Sequence, residues 1–290
     1  MHWFPLALIS AITLAAADTV MKKYFQGYHG WDLLVVRFCV PGLLLVPFVI
    51  LHPIPPAPPA FWGWMVILIP MEMGAMVCYL IAIRDSPLYL TLPYLAFTPV
   101  FSLLSAYLLL GETVSPDGLA GILLVTSGAY LLNADHFRGH ELKGWLAPLR
   151  AIFHERGSRL MLLAAIVYSL TSVFSKEAMS YVTPSSFGPF YFFVIGTSVL
   201  VVSMIARPRQ LRVLGSRIVP LLVAGALMAV MVVTHFLAIA AVEVAYMLSV
   251  KRSSLLFGIL FGAIMFREQQ LFHHFIAGTL MVAGVVLIVV

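Results

Sequence analysis

Seven ionisable side chains stand in or beside stretches otherwise made of Leu, Val, Ile, Ala and Phe: Asp18, Arg37, Glu72, His235, Glu243, Lys251 and Arg252. A charge in such company is costly unless it meets protein or water, so each marks a candidate site. Glu72 follows Pro70, lies between Met71 and Met73, and sits halfway along its apolar run. Two readings stand for it: a packing partner for a basic residue, or an acceptor of a proton or cation. Adjacent helical positions point about 100° apart, so Lys251 and Arg252 do not both face one cavity. Lys251 is assigned to the cavity, in a stripe with Ser254 and Gly258, with a tether to Glu72 or Glu243 as its alternative. Arg252 is left to pair with an acid, as is Arg37. His235 is either a core histidine bonded to a neighbour or a titratable switch. With Glu72 it is the candidate for proton coupling.

Tyrosine joins a flat apolar face to a hydroxyl, which suits an amphiphilic substrate. Tyr79, Tyr89, Tyr94, Tyr168 and Tyr246 lie inside or at the start of apolar runs. The candidate substrate-binding set is Glu72, Tyr79, His235, Tyr246, Lys251, Ser254, Arg37 and Arg252. Asp18 and Lys22, four residues apart on one helix face, are expected to satisfy each other. No metal site is expected. His273 and His274 are adjacent and point apart, and His136, His140 and His154 are scattered. The acids are single and dispersed, so no catalytic cluster is expected either. No P-loop is visible, and no cofactor is implied.

The chain that must position these groups has 290 residues, 62% hydrophobic and only 10% charged, with mean hydropathy +1.02. Its charged share is well under half that of a soluble domain. That excludes a cytosolic enzyme, a secreted disulfide scaffold and a disordered tail. Cys39 and Cys78 sit in apolar runs and read as buried small side chains. The net charge of +5 is no nucleic-acid signal, because the basic residues gather at helix ends. About 20 apolar residues cross a bilayer. Ten spans are expected, roughly at 3–22, 32–51, 62–82, 88–110, 116–132, 160–179, 188–206, 218–240, 244–266 and 273–290. The first apolar run reads as a span, not a cleaved leader. Trp3, Trp31, Trp62, Trp64 and Trp145 read as an interface belt. Phe190 to Phe193 read as core or lipid-facing. Gly258 and Gly262 offer a small-residue packing face.

The charged joint 133–159, with a short interfacial helix expected around Gly144–Phe153, divides two similar halves, 1–132 and 160–290. An offset of 156 pairs Ala82 with Ala238, Glu112 with Glu268, Gly128 with Gly284 and Tyr79 with His235. Glu112 and Glu268 each stand between two spans, where a carboxylate meets the free amides of a helix start. Their duplication indicates an architectural role. Five spans per half is odd, so the second half enters the membrane inverted. Inverted repeats place a substrate site at their interface near the midplane. The expected fold class is an all-α integral membrane protein of ten transmembrane helices in two inverted five-helix repeats. Thirteen of the 17 Lys and Arg fall on one side and only Lys176 on the other. The rule for basic loops puts the thirteen in the cytoplasm and both termini outside, across the inner (plasma) membrane.

The run Thr98-Pro99-Val100-Phe101, then Leu110-Gly111-Glu112, then Gly121 and Gly128, resembles the EamA domain of the drug/metabolite transporter superfamily. The second copy runs from Lys251-Arg252-Ser253-Ser254-Leu255 through Phe266-Arg267-Glu268 to Gly278 and Gly284. It departs from the first in having Arg267 for Gly111 and Leu255 for Pro99. The superfamily's members export amino acids, drugs and metabolites, or exchange nucleotide sugars. The resemblance implies a secondary carrier of a small polar or amphiphilic molecule. The surplus of basic candidates favours a zwitterionic, amino acid-like or anionic cargo, moved by alternating access. Export of organic cations or drugs, and an intramembrane enzyme processing lipid headgroups, are the alternatives. The expected partners are the small-molecule substrate and membrane lipid, with no nucleic acid, in a monomer or weak homodimer.

Overall fold

The computed structural model describes residues 3–25, 27–28, 30–86, 91–134, 152–266 and 275–290. Their long elements are all helical. The first half holds α1 (Trp3–Tyr24), α2 (Gly30–Leu51), α3 (Pro59–Asp85), α4 (Leu92–Leu110) and α5 (Pro116–Ala134). The second holds α6 (Arg156–Ala178), α7 (Pro184–Ala206), α8 (Ile218–Ile239), α9 (Val244–Phe266) and α10 (Phe275–Val289). Eight of these are long and apolar enough to cross a membrane. The apolar parts of α5 and α10, Pro116–Leu132 and Phe275–Val289, are shorter than the full crossings expected there. Most of the expected interfacial helix, together with Tyr89, Trp145, Arg267, Glu268, His136, His140, His273 and His274, lies outside the described residues.

Proline shapes the helices that carry the ionisable groups. Pro59 and Pro184 occupy the first turns of α3 and α7, where no N–H is needed. Pro41, Pro70, Pro99 and Pro189 lie further in, and each deprives the carbonyl four residues earlier of its helical donor. In α2 that carbonyl belongs to Arg37, and the backbone widens into a π turn over Val35–Cys39. In α4 it belongs to Leu95, which accepts the Thr98 hydroxyl instead. There a 3-10 stretch, Leu92–Phe97, becomes α-helical at Thr98. Helix α9 breaks without proline, at Arg252–Ser253, into Val244–Lys251 and Ser254–Phe266.

The halves interlock. Helix α1 packs on α8, and α6 packs on α3; α1 also meets the second part of α9, while α6 meets α4. Helix α2 crosses α7, the first part of α9 crosses α4, and α5 crosses α10. Helices in lipid gain little from hydrophobic burial against each other and rely on close van der Waals approach. Small residues supply it here. A Cβ added to Gly42 would lie 3.3 Å from the Gly196 Cα. One added to Gly121 would lie 2.6 Å from the Gly284 carbonyl oxygen, and one on Gly128 would lie 2.6 Å from that of Ala277. Gly258, by contrast, has nothing within 4 Å of its Cβ position. Among the described residues Gly258 therefore has no close-packing partner. Ile50, Val66, Leu108, Ile205 and Ile276 turn outward, as a lipid-facing surface requires.

Candidate functional site

The ionisable groups from both halves converge between α1, α2, α3, α6, α8 and α9. Asp18 does not depend on Lys22 for its charge partner: its carboxylate takes Arg37 Nη1 at 2.6 Å, across from α1 to α2. The π turn at Val35–Cys39 sets the direction of Arg37 there. The two side chains keep 31% (Arg37) and 49% (Asp18) of their surface accessible, although Ala17, Thr19, Val36 and Phe38 beside them are buried. The ion pair thus faces unfilled space. Arg37 lies within electrostatic reach of Tyr79 on α3 and Tyr168 on α6.

Glu72 on α3 lies near the Thr171 side chain of α6, whose hydroxyl donates to the Tyr168 carbonyl at 3.2 Å. Tyr168 and Tyr191 are both within its electrostatic reach. The Tyr191 hydroxyl is buried and has no hydrogen-bond partner among the described residues. Across from Glu72, Lys251 Nζ lies 3.2 Å from His235 Nδ1. With the ammonium as donor, the imidazole keeps its proton on Nε2. Lys251 feels Arg37, Glu72, Asp18 and Arg252 together. Glu72 also walls an apolar crevice of about 10 Å³, room for about one water, lined by Trp31, Leu34, Phe38, Met76 and Ile195 among others.

The sequence candidates divide accordingly. Arg37, Glu72, Tyr79, His235 and Lys251 come together. Arg252 meets no acid among the described residues; it donates to the Thr98 hydroxyl and ties the break in α9 to the break in α4. Ser254 opens the second part of α9, so the break interrupts the expected stripe from Lys251 to Gly258. Tyr246 lies apart, at the start of α9. Its hydroxyl accepts the Ser115 N–H at 2.9 Å and lies 3.2 Å from Ser115 Oγ. Trp31 does not stand in an interface belt: its indole N–H donates to Ser203 Oγ at 3.0 Å, and its ring lines the crevice. Trp64 likewise packs inward on Phe174.

Asp18, Thr171, Tyr168 and Tyr191 join the cluster without having been central to the sequence reading. A repeat offset of 154 would have pointed to one of them: it carries Arg37 to Tyr191, as it carries Gly42 to Gly196 and Lys22 to Lys176.

At one end of the cluster, Gly111 closes α4 with φ +68°, a left-handed turn that glycine adopts without strain. Glu112 then points into the second half. Its Oε1 accepts Lys176 Nζ at 2.5 Å and its Oε2 accepts the Val244 N–H, at the start of α9, at 2.8 Å. Lys176 also donates to the Val242 carbonyl at 2.6 Å. The expected meeting of this carboxylate with a helix start occurs, and the helix is one of the opposite half.

A family model described as the EamA-like transporter family matches residues 1–134 and 156–290. No curated protein matches the chain. A solved structure described only as the crystal structure of a protein superposes with a TM-score of 0.77, covering 98% of this chain and 96% of its own. At 16% identity it shares the fold.

Proposed function

The chain belongs to the EamA-like transporter family, a group of multi-pass membrane transporters, and from that premise we propose a secondary carrier for a small zwitterionic or anionic, amino acid-like metabolite. The carrier alternates access around the cluster of Asp18, Arg37, Glu72, Tyr79, His235 and Lys251, with a proton entering the cycle through Glu72 or His235. Residues 1–132 and 160–290 form two inverted five-helix repeats joined by 133–159, and α5 and α10 are the fifth and tenth crossings. The packing supports this reading, since the main contacts between the halves recur with the halves exchanged: α1 on α8 and α6 on α3, and α1 on α9 and α6 on α4. Under the offset of 156, the contacts Gly121–Gly284 and Gly128–Ala277 are one contact made twice, which is the signature of a two-fold axis. The face holding thirteen Lys and Arg is cytoplasmic, in an inner-membrane protein that works as a monomer or a weak homodimer.

One observation carries the choice of cargo. Glu72 from the first half and Lys251 from the second lie within electrostatic reach of each other, yet Lys251 Nζ lies against His235 Nδ1 and Glu72 sits near the Thr171 side chain instead. Opposite charges held apart in one hollow match a molecule that carries both. The apolar side chains beside Glu72, Met76 and Ile195 among them, favour a second reading, the export of an organic cation that sets its charge against Glu72. Counterflow in liposomes, run with labelled amino acids, organic anions and organic cations, separates the two. Lys251→Ala (K251A) should abolish saturable exchange of zwitterions and anions. Glu72→Gln (E72Q) should abolish its stimulation by a pH gradient. Retention of zwitterion exchange by K251A, with cation exchange also intact, would turn the assignment to the cation.

A further inference from the structure

We propose that Glu112 and Lys176 are gating residues: their joint grip on the α8–α9 turn closes the hollow on the face where α4, α6 and α8 end, and it must release for the hollow to open there. The inference rests on the carrier reading. The clamp joins parts that carry the binding groups. Lys176 is five residues after Thr171, the α6 side chain near Glu72. Val244 begins the helical segment that ends at Lys251. One carboxylate from the first half thus holds both second-half elements, through Lys176 Nζ at 2.5 Å and the Val244 N–H at 2.8 Å. Lys176 closes the ring on the Val242 carbonyl at 2.6 Å. Tyr246 and Ser115 repeat the tie one turn further on, at 2.9 Å.

Its chemistry differs from that of the glycine contacts between halves. Helix α5 meets α10, and α2 meets α7, through backbone brought together at glycine, contacts that nothing replaces once parted. The clamp consists of directional, charge-assisted bonds between groups with side chains 13% (Glu112) and 23% (Lys176) exposed. Water can take over every one of these bonds when the faces separate, and they re-form when the faces close. A contact of that kind suits a joint that breaks in each cycle.

The test reads opening directly. Cys39 is replaced by Ala, leaving Cys78, which lies beside Tyr79 and within reach of Tyr168. Its labelling by a membrane-impermeant maleimide is timed in right-side-out and inside-out vesicles. Glu112→Gln (E112Q) and Lys176→Met (K176M) should each speed labelling from the clamp face by about tenfold, the loss of one hydrogen bond to a charged group. From the opposite face labelling should not rise. The double variant should match the singles, because both remove one joint, and Lys176→Arg (K176R) should restore the original rate. An equal rise from both faces would mark simple destabilisation and overturn the proposal, as would no rise at all. Absence of counterflow in the unmutated protein would count against the carrier reading alone, since labelling needs no cargo.

Discussion

The crossing of α5 and α10 can be broken from either side. In Gly121→Ala (G121A) the new methyl lies 2.6 Å from the Gly284 carbonyl oxygen and 2.7 Å from Ile288 Cγ1. In Gly284→Ala (G284A) it lies 2.6 Å from the Gly121 carbonyl oxygen. A backbone oxygen cannot rotate away. Ordinary contact begins at 3.4 Å, so the helices must part by the difference of 3.4 and 2.6, or 0.8 Å. A gap of about 0.5–1 Å forfeits a quarter to a half of the attraction between facing atoms. Overpacking of this kind costs about 1–3 kcal/mol. Each single variant should lose about that much in equilibrium unfolding in detergent, measured by titration with a denaturing detergent. The double variant should lose little more than the worse single, because one separation relieves both clashes. Gly74→Ala (G74A) is the control: nothing lies within 4 Å of that Cβ position. The gain in helix propensity there leaves the protein unchanged or up to about 1 kcal/mol more stable. A G121A protein as stable as the original, or a double variant whose loss is the sum of the two, would refute the face-to-face placement.

Asp18→Asn (D18N) frees Arg37 from its counter-charge. The pair is partly accessible and worth about 0–1 kcal/mol, so binding of an anionic or zwitterionic cargo should tighten by up to about fivefold in a titration; weaker binding would show that Asp18 itself contacts cargo. Tyr246→Phe (Y246F) removes the acceptor of the Ser115 N–H. It should cost about 1 kcal/mol of stability with cargo affinity unaltered, and a changed affinity would return Tyr246 to the binding site. Trp31→Phe (W31F) loses the bond to Ser203 at 3.0 Å. It should destabilise by about 1 kcal/mol, and unchanged unfolding would deny that bond a structural role.

The membrane class and the course of the helices were legible because hydropathy and breakers are local signals. Glu72, His235 and Lys251 stood out because ionisable groups are conspicuous among Leu and Val. Their partners were not legible. Asp18 meets Arg37 across two helices, and the near neighbour Lys22 was the only choice that one-helix geometry offered. Tyr191 and Thr171 are neutral and carry no such flag. Arg252 was matched to an acid by charge, whereas its bond goes to a hydroxyl exposed by the backbone irregularity at Pro99. The break at Arg252–Ser253 has neither proline nor glycine to announce it. Trp31 fitted an interface belt by its place at a helix end, and only the position of α7 shows why it turns inward.

The widened turn over Val35–Cys39 also bears on how such a chain diverges. A π turn holds one residue more than the α turn it replaces. Loss of a single codon there would restore regular winding and leave the later side chains of α2 in place relative to the earlier ones, because the extra residue is absorbed within the one wide turn. A deletion inside that turn would therefore keep Gly42 against Gly196 while removing the widening that directs Arg37 at Asp18. Descendants can thus shed the odd turn at the expense of the ion pair and still keep the crossing of α2 with α7.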